Sequence, residues 1–247
     1  MVEVAPVLDE RAATVPHPDG TALVVADYHA GVEATLRREG VEAASRTERR
    51  RERLLDLVAE TGADRVVFLG DVGDSIGEPG RAEREELEAL ADALSVPATL
   101  VPGNHDGGPA RVLGDLVDVV DSAGVRRGDV GFAHGHTWPA PAVLGADVLC
   151  VGHEHPTVRI EDPVGGRRVE PAWLRGPLDP APFDAHHGEP LGTDAELVVF
   201  PAFNELVGGT WVNVPGQEFL APFLPEGLPA GEAFLLDGTN LGDYRSV

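Results

Sequence analysis

The sequence predicts an α/β fold built as a four-layer α/β/β/α sandwich, two mixed sheets packed face to face with helices on the outside. Two observations predict it. Up to about residue 106, short apolar runs alternate with charged segments whose leucines recur at helical spacing, a βαβαβ rhythm. Beyond that point the apolar runs follow one another through Pro- and Gly-rich connections, the pattern of a strand-rich half. At 247 residues, 43 % of them hydrophobic, the chain can bury a sizeable core. With no internal repeat and no clean boundary, it reads as a single domain over 1–247.

The first strand is Ala22 to Ala26, ending at Asp27. A helix follows over Ser45 to Thr61, with Leu54, Leu55, Leu57 and Val58 on one face and Gly62 as its natural stop. Arg65 to Leu69 is a buried strand that ends at Gly70-Asp71, and Ala82 to Leu94 is a second amphipathic helix. Pro97 to Val101 is a third strand, ending at Asn104-His105-Asp106. In the second half, strands are expected at Val117–Val120, Val130–Ala133, Asp147–Val151, Glu196–Phe200, Trp211–Val214 and Ala233–Leu236. Thr157–Ile160 and Arg167–Trp173 form a hairpin through Pro163-Val164-Gly165-Gly166. Gly176 to Asp194 and Ala221 to Gly231 read as loops.

The chemistry sits at the strand ends. Five apolar strands each run into metal-binding side chains: Asp27-Tyr28-His29, Gly70-Asp71, Gly103-Asn104-His105-Asp106, His134-Gly135-His136 and Gly152-His153-Glu154-His155. Ligand sites of α/β sheets gather just beyond the carboxyl ends of strands, and a glycine beside each donor allows close backbone approach. Six of the nine histidines lie in these segments, while His17 and the loop pair His186-His187 do not. Imidazole, carboxylate and amide donors without thiolate suit manganese foremost, then iron, cobalt, nickel or zinc. So many donors exceed one tetrahedral site, and two divalent ions are the economical solution, with a carboxylate bridging them against their mutual repulsion.

The ordered set Asp-x-His, Gly-Asp-x-x-Asp, Gly-Asn-His-Asp, His-Gly-His and Gly-His-x-His, spanning Asp27 to His155, resembles the calcineurin-like metallophosphoesterases. Gly152 to Pro156 and Pro201-Ala202-Phe203-Asn204 further resemble an archaeal phosphoesterase subgroup related to SbcD-type repair nucleases. The resemblance implies a metal-dependent phosphoesterase in which Asp27, His29 and His155 hold one ion. Asn104, His134 and His153 would hold the other, with Asp71 between them. It further implies His105 as the group that protonates or electrostatically supports the leaving oxygen and Asp74 as its dyad partner, with a hydroxide activated by the two metals attacking phosphorus. His136, the second histidine of His-Gly-His, is expected to stand behind the ligands or to face substrate. Phosphodiesters are the expected substrates; a nuclease on DNA or RNA, or a non-catalytic metal-binding scaffold, are the alternatives.

Composition bounds the setting. Forty-two acidic residues oppose nineteen basic ones for a formal net charge of −23, and every basic residue is arginine. Acids spread along the chain, with no lysine stems, fit a cytosol of very high salt, where a charged surface stays solvated. The acidity therefore does not argue against an anionic substrate. The arginines of Arg46 to Arg53 read first as a solvated, ion-paired helix face, and second as a phosphate-grasping one. The lone Cys150 fits a small buried hydrophobe in a reducing compartment. The acidic, Pro-containing start has no signal-peptide pattern, and no apolar run is long enough to span a bilayer, so a cytoplasmic location without membrane contact is expected. Oligomeric state is left open.

Overall fold

A computed structural model of the chain describes residues 2–161 and 165–247. Among them, β1 (Ala5–Pro6), β2 (Ala12–His17), β3 (Gly20–Val25), β4 (Arg65–Phe68), β5 (Ala98–Leu100) and β6 (Val117–Val119) form one sheet in that spatial order. The strands β3 to β6 run parallel, and β1 and β2 add an antiparallel edge. Helices α1 (Val32–Arg38), α2 (Thr47–Thr61), α3 (Arg81–Ala93) and α4 (Pro109–Leu113) connect these strands. The second sheet contains β7 (Val125–Arg127), β8 (Val130–Ala133), β9 (Val148–Val151), β10 (Thr157–Glu161), β11 (Arg167–Pro177), β12 (Glu196–Val199), β13 (Glu232–Leu235) and β14 (Asn240–Asp243). Its helices are α5 (Pro141–Leu144) and α6 (Ala181–His187). Two mixed sheets flanked by helices are the architecture expected from the sequence.

The strand period explains why these runs are continuously apolar. Leu23, Val25, Val66 and Phe68 face Leu54, Leu57, Leu87 and Leu90 of α2 and α3. Their neighbours Ala22, Val24, Val67 and Leu69 face the other sheet, meeting Val130, Phe132, Val148, Cys150 and Trp173. Beyond that sheet, Leu149, Val151, Leu174 and Leu197 pack against Phe183, Phe223 and Leu228. Successive side chains point to opposite faces, and both faces are covered, so no polar alternation survives. Cys150 is a buried free thiol in the layer between the sheets.

The structure corrects several expected elements. Trp211 to Val214 is not a strand: Trp211 makes an isolated bridge to Thr157 and the chain then turns towards Pro215-Gly216. The loop expected from Gly176 to Asp194 contains α6, held by Phe183 packed against Phe223. His186 and His187 close that helix and are not loop residues; His186 stacks on Trp138 yet stays exposed, and His187 Nε2 meets the Pro139 carbonyl at 2.9 Å. The hairpin β10–β11 forms in antiparallel register, while residues 162–164 of its expected turn lie outside the described residues.

Helix α2 divides its arginines by face. Arg53 pairs with Glu10 and Glu60, and Arg46, at the helix start, pairs with Glu205, as a solvated face would. Arg50 instead shares the buried face with Leu54, Leu57 and Val58, at helical spacing from them. Its guanidinium meets Glu86 at 2.6 Å and Glu33 at 3.2 Å, and lies 5.4 Å from the Tyr28 ring centre. Glu86 also accepts the Gly31 N–H at 2.9 Å, so one buried network ties α1, α2 and α3 to the Asp27-Tyr28-His29 turn. Removing the cation strands two buried carboxylates. Arg50→Leu should lower unfolding free energy by about 3–5 kcal/mol, read as a fall in the denaturant midpoint; an unchanged midpoint would contradict the network's role.

Candidate metal centre

Parallel β3, β4 and β5 deliver Asp27, Asp71 and Asn104 at their carboxyl ends, and β8 and β9 deliver His134 and His153 from the facing sheet. Backbone bonds tie neighbouring strand ends within each sheet, and the His153 N–H crosses between the sheets to Asp27 Oδ2 at 3.0 Å. Asp27 N–H donates to Gly70 O at 3.2 Å, His29 N–H to Asp71 O at 2.9 Å, and Gly152 N–H to His134 O at 2.8 Å. Residues scattered over the first 155 positions thus share one cleft.

Asp27, His29, Asp71, His153 and His155 all have positive φ, between 45° and 69°, a region that non-glycine residues rarely enter. Such conformations cost on the order of 1 kcal/mol each and persist where the surroundings enforce them, commonly at functional sites. In both Asp27-Tyr28-His29 and His153-Glu154-His155 the left-handed residues alternate, so the outer pair turns inwards while the middle residue is buried as an anchor. Tyr28 is buried and stacks on Phe203 at 6.0 Å. The Glu154 carboxylate accepts the N–H groups of Leu220 and Ala221 at 3.0 and 3.1 Å. Glycine is required where the two edges meet. A Cβ on Gly103 would lie 2.1 Å from Asp71 Oδ1, and one on Gly152 would lie 2.9 Å from Asp27 Oδ2.

Two clusters result. Asp27, His29 and His155 form one, and Asp71, His134 and His153 the other; within each, the candidate donor atoms lie within 4.8 Å of one another. His155 Nε2 is 3.2 Å from Asp27 Oδ1, and Asn104 Oδ1 joins the second cluster 3.3 Å from His134 Nε2. Asp71 Oδ2 faces both, 4.0 Å from His29 Nε2 and 3.4 Å from His134 Nε2. The seven expected ligands therefore converge, with Asp71 between the two groups.

The donor chemistry fits divalent cations. The Nδ1 atoms of His134 and His155 face the Leu69 and Gly208 carbonyls at 2.7 and 2.8 Å, and His29 Nδ1 lies 3.3 Å from Asp74 Oδ1. The two carbonyls take the ring N–H of His134 and His155 and turn their Nε2 lone pairs inwards, the arrangement that orients metal-ligating imidazoles, while His29 Nδ1 lies beside the Asp74 carboxylate without a hydrogen bond. Inside, His29 Nε2 and His155 Nε2 are buried without a hydrogen bond, and His134 Nε2 sits 3.1 Å from His153 Nδ1. Acceptors crowded against acceptors call for positive charge. Burial alone would raise the Asp27 and Asp71 carboxyls, yet His155 and His134 hold both below the ordinary range. Burial would lower His134, but Asp71 and Asp27 push it up to about 9. Burial and the neighbouring His134 take His153 down to about 4.

His105 stands beside the clusters with its Nε2 4.0 Å from Asp71 Oδ2. Its backbone N–H donates to Asp71 Oδ1 at 2.9 Å. The expected dyad needs a correction: His105 Nδ1 meets the backbone carbonyl of Asp74 at 2.6 Å, while the Asp74 carboxylate turns to His29 Nδ1 and the Thr35 hydroxyl. His136 packs beside His134 and His153, ring centres 5.3 and 6.1 Å away, outside both clusters.

Three supporting residues escaped the sequence reading. Asp106 accepts N–H bonds from Val72 at 2.9 Å and Gly103 at 2.8 Å, fixing the Asp71 and Asn104 loops to each other. Glu83 accepts from Asp74 and Ser75. Asn204 donates to the Tyr28 and His29 carbonyls at 3.0 and 3.1 Å, bracing the left-handed turn from behind. Asp106 and Asn204 stood inside the motifs; Glu83 carried no signal apart from its helix.

The sequence profile described as calcineurin-like phosphoesterase matches residues 20–157, more than half of the chain and the stretch that carries all seven converging residues. The chain belongs to the calcineurin-like phosphoesterase family. It is therefore a metal-dependent hydrolase of phosphate esters, and the family implies a dinuclear divalent metal centre. Among solved structures, nuclease MPE of Pseudomonas putida shares the fold at 23 % identity and TM-score 0.61, covering 95 % of this chain and 98 % of that one. YfcE, a phosphoesterase from E. coli, aligns at 17 % identity and TM-score 0.38, covering 90 % and 96 %. A search of curated proteins finds no match. Among the described residues, no helix is long and apolar enough to cross a membrane.

Proposed function

We propose that this phosphoesterase hydrolyses phosphodiesters at a centre of two manganese ions, one on Asp27, His29 and His155, the other on Asn104, His134 and His153, with Asp71 between them. One observation carries the reading: the acceptor atoms of both clusters converge on Asp71 while the outward ring nitrogens are already committed. When bound, such a pair supplies Lewis-acid stabilisation of the phosphoryl oxygens and a hydroxide nucleophile near neutral pH.

The chain's own residues do the rest. Leu69 and Gly208 fix the tautomers of His134 and His155, so that each presents Nε2, and the Asp74 carboxylate lies 3.3 Å from His29 Nδ1. His105, held by the Asp74 carbonyl on Nδ1, presents Nε2 towards the open cleft and protonates the leaving oxygen. A diester enters with one fewer negative charge on phosphorus than a monoester, which suits a cleft walled by acidic side chains.

The finer readings go with this one. The sequence Gly152 to Pro156 and the buried Asn204 support placement near the SbcD-related phosphoesterases. The net charge of −23 and the absence of lysine support a high-salt cytoplasm. Packing of Val24 and Val67 against Val148 and Trp173, across the two sheets, supports one domain.

The test is hydrolysis of bis(p-nitrophenyl) phosphate with manganese at high salt, against p-nitrophenyl phosphate. Turnover of the diester in excess of the monoester is expected. A monoester preference would overturn the diester assignment, and no turnover with any divalent ion would overturn the metal-centre reading.

A further inference from the structure

A depression of about 390 Å³ begins at His155 and runs away from the clusters, lined by Arg11, Val207, Gly208, Gly209 and Trp211 among others. Through Arg11, Asn204 and Glu205 it opens into a second cleft of about 440 Å³ bordered by Arg46, Arg49 and Arg53. Three features set this groove apart.

Trp138 and Trp173 pack against Phe183 and Phe200, whereas Trp211 is 41 % exposed and has no aromatic neighbour among the described residues. Its backbone is nevertheless fixed by the bridge to Thr157, two residues beyond His155. Arg11 is the second feature. Arg50, Arg53 and Arg175 are all ion-paired, but half-buried Arg11 forms no ion pair among the described residues and gives one hydrogen bond, to Ala202 O at 3.3 Å. Burial draws its pKa down despite Glu205, Glu10 and Glu170 nearby. Third, Gly208 O, in the groove wall, is the acceptor that orients His155. The groove and the metal cluster thus share one stretch of backbone.

An exposed indole face is a platform for an unstacked base, and an uncommitted guanidinium fork matches a phosphate. Leaving aside Arg50, which is buried against Glu33 and Glu86, the adjoining cleft sets four arginines against five acids, close to balance on a chain of net charge −23 and hence a path of lower repulsion for a polyanion. We propose that this groove seats single-stranded nucleic acid on one flank of the scissile phosphate, a base stacked on Trp211 and a phosphate on Arg11. Further phosphates pass Arg46 and Arg49. The proposal rests on the phosphodiester reading of the metal centre. A duplex does not fit it, since its bases offer no free face to the indole. Stacking also holds its strength in concentrated salt, where counterion release contributes little.

The test uses the full chain and a fluorescein-labelled oligothymidylate of about 12 nucleotides, within the span one such site covers. Binding is read by anisotropy with divalent ions chelated, so it does not depend on turnover. Trp211→Ala and Arg11→Gln should each weaken binding about tenfold or more. Arg11→Gln should also reduce the slope of log K against log salt by about 0.7, which a purely structural role would leave alone. With manganese, the ratio of oligonucleotide to bis(p-nitrophenyl) phosphate kcat/KM should fall about tenfold in each variant. Wild-type affinity in both variants, or an unchanged ratio, overturns the groove. Trp211-dependent binding in a chain that turns over neither substrate supports the groove while sinking the metal-centre reading.

Discussion

Asp71→Asn should lower kcat for bis(p-nitrophenyl) phosphate by at least about 1,000-fold, equivalent to about 4 kcal/mol of transition-state stabilisation. The reason lies in what the amide must do. Asp71 Oδ1 accepts the His105 N–H at 2.9 Å, which fixes the carbonyl oxygen of an asparagine in that place. Its NH₂ then occupies the position of Oδ2, 3.4 Å from His134 Nε2, and sets a donor where a cation is expected. The negative charge proposed to lie between the two ions would be lost, and a hydrogen bond to His134 would compete with the metal. Metal content measured on the purified protein should drop from near two per chain to one or fewer. Full activity with two ions retained would remove Asp71 from the bridging position.

His105→Ala is the second large effect and separates chemistry from metal binding. The ring contributes no atom to either cluster, so two ions should remain. Loss of a positioned acid costs about 10²–10⁴-fold in rate. The loss should be smaller for p-nitrophenyl esters, whose leaving group is stable as an anion, than for an alkyl or nucleoside diester that must be protonated as it departs. Equal losses on both classes would mean that His105 holds the substrate or the Asp71 loop without delivering a proton. Asp74→Ala should resemble His105→Ala only weakly, because the contact to His105 Nδ1 is a backbone carbonyl; its larger effect should fall on His29.

The parallel core was legible because buried strands and amphipathic helices write themselves as runs and periods. Leu54, Leu57 and Val58, or Val66 to Leu69, have few alternatives once they must be covered on every side. The edges were not legible. Strand β2 contains Pro16 and ends at His17, and β14 is Asn240–Asp243, so neither carries an apolar run; each is set by pairing with a neighbour. Trp211 to Val214 shows the reverse error, since its β-branched and aromatic residues form a bridge and a turn because the chain there serves the Glu154 and Thr157 loops. At the candidate site, residue types and their strand-end positions were readable. The left-handed turns at Asp27, His29, His153 and His155 were not, because nothing in Asp or His compels positive φ. Asn204 and Phe203, and the Leu220 and Ala221 N–H groups that hold Glu154, impose it from a distance in sequence that local reading does not reach.

Crystals soaked in manganese, with anomalous diffraction recorded at the metal edge, give the most direct answer. Two peaks about 3.5–4 Å apart should flank the Asp71 carboxylate, the first in contact with Asp27, His29 and His155 and the second with Asn104, His134 and His153. A lone peak, or density lodged away from Asp71, would contradict a paired-cation centre in this cleft.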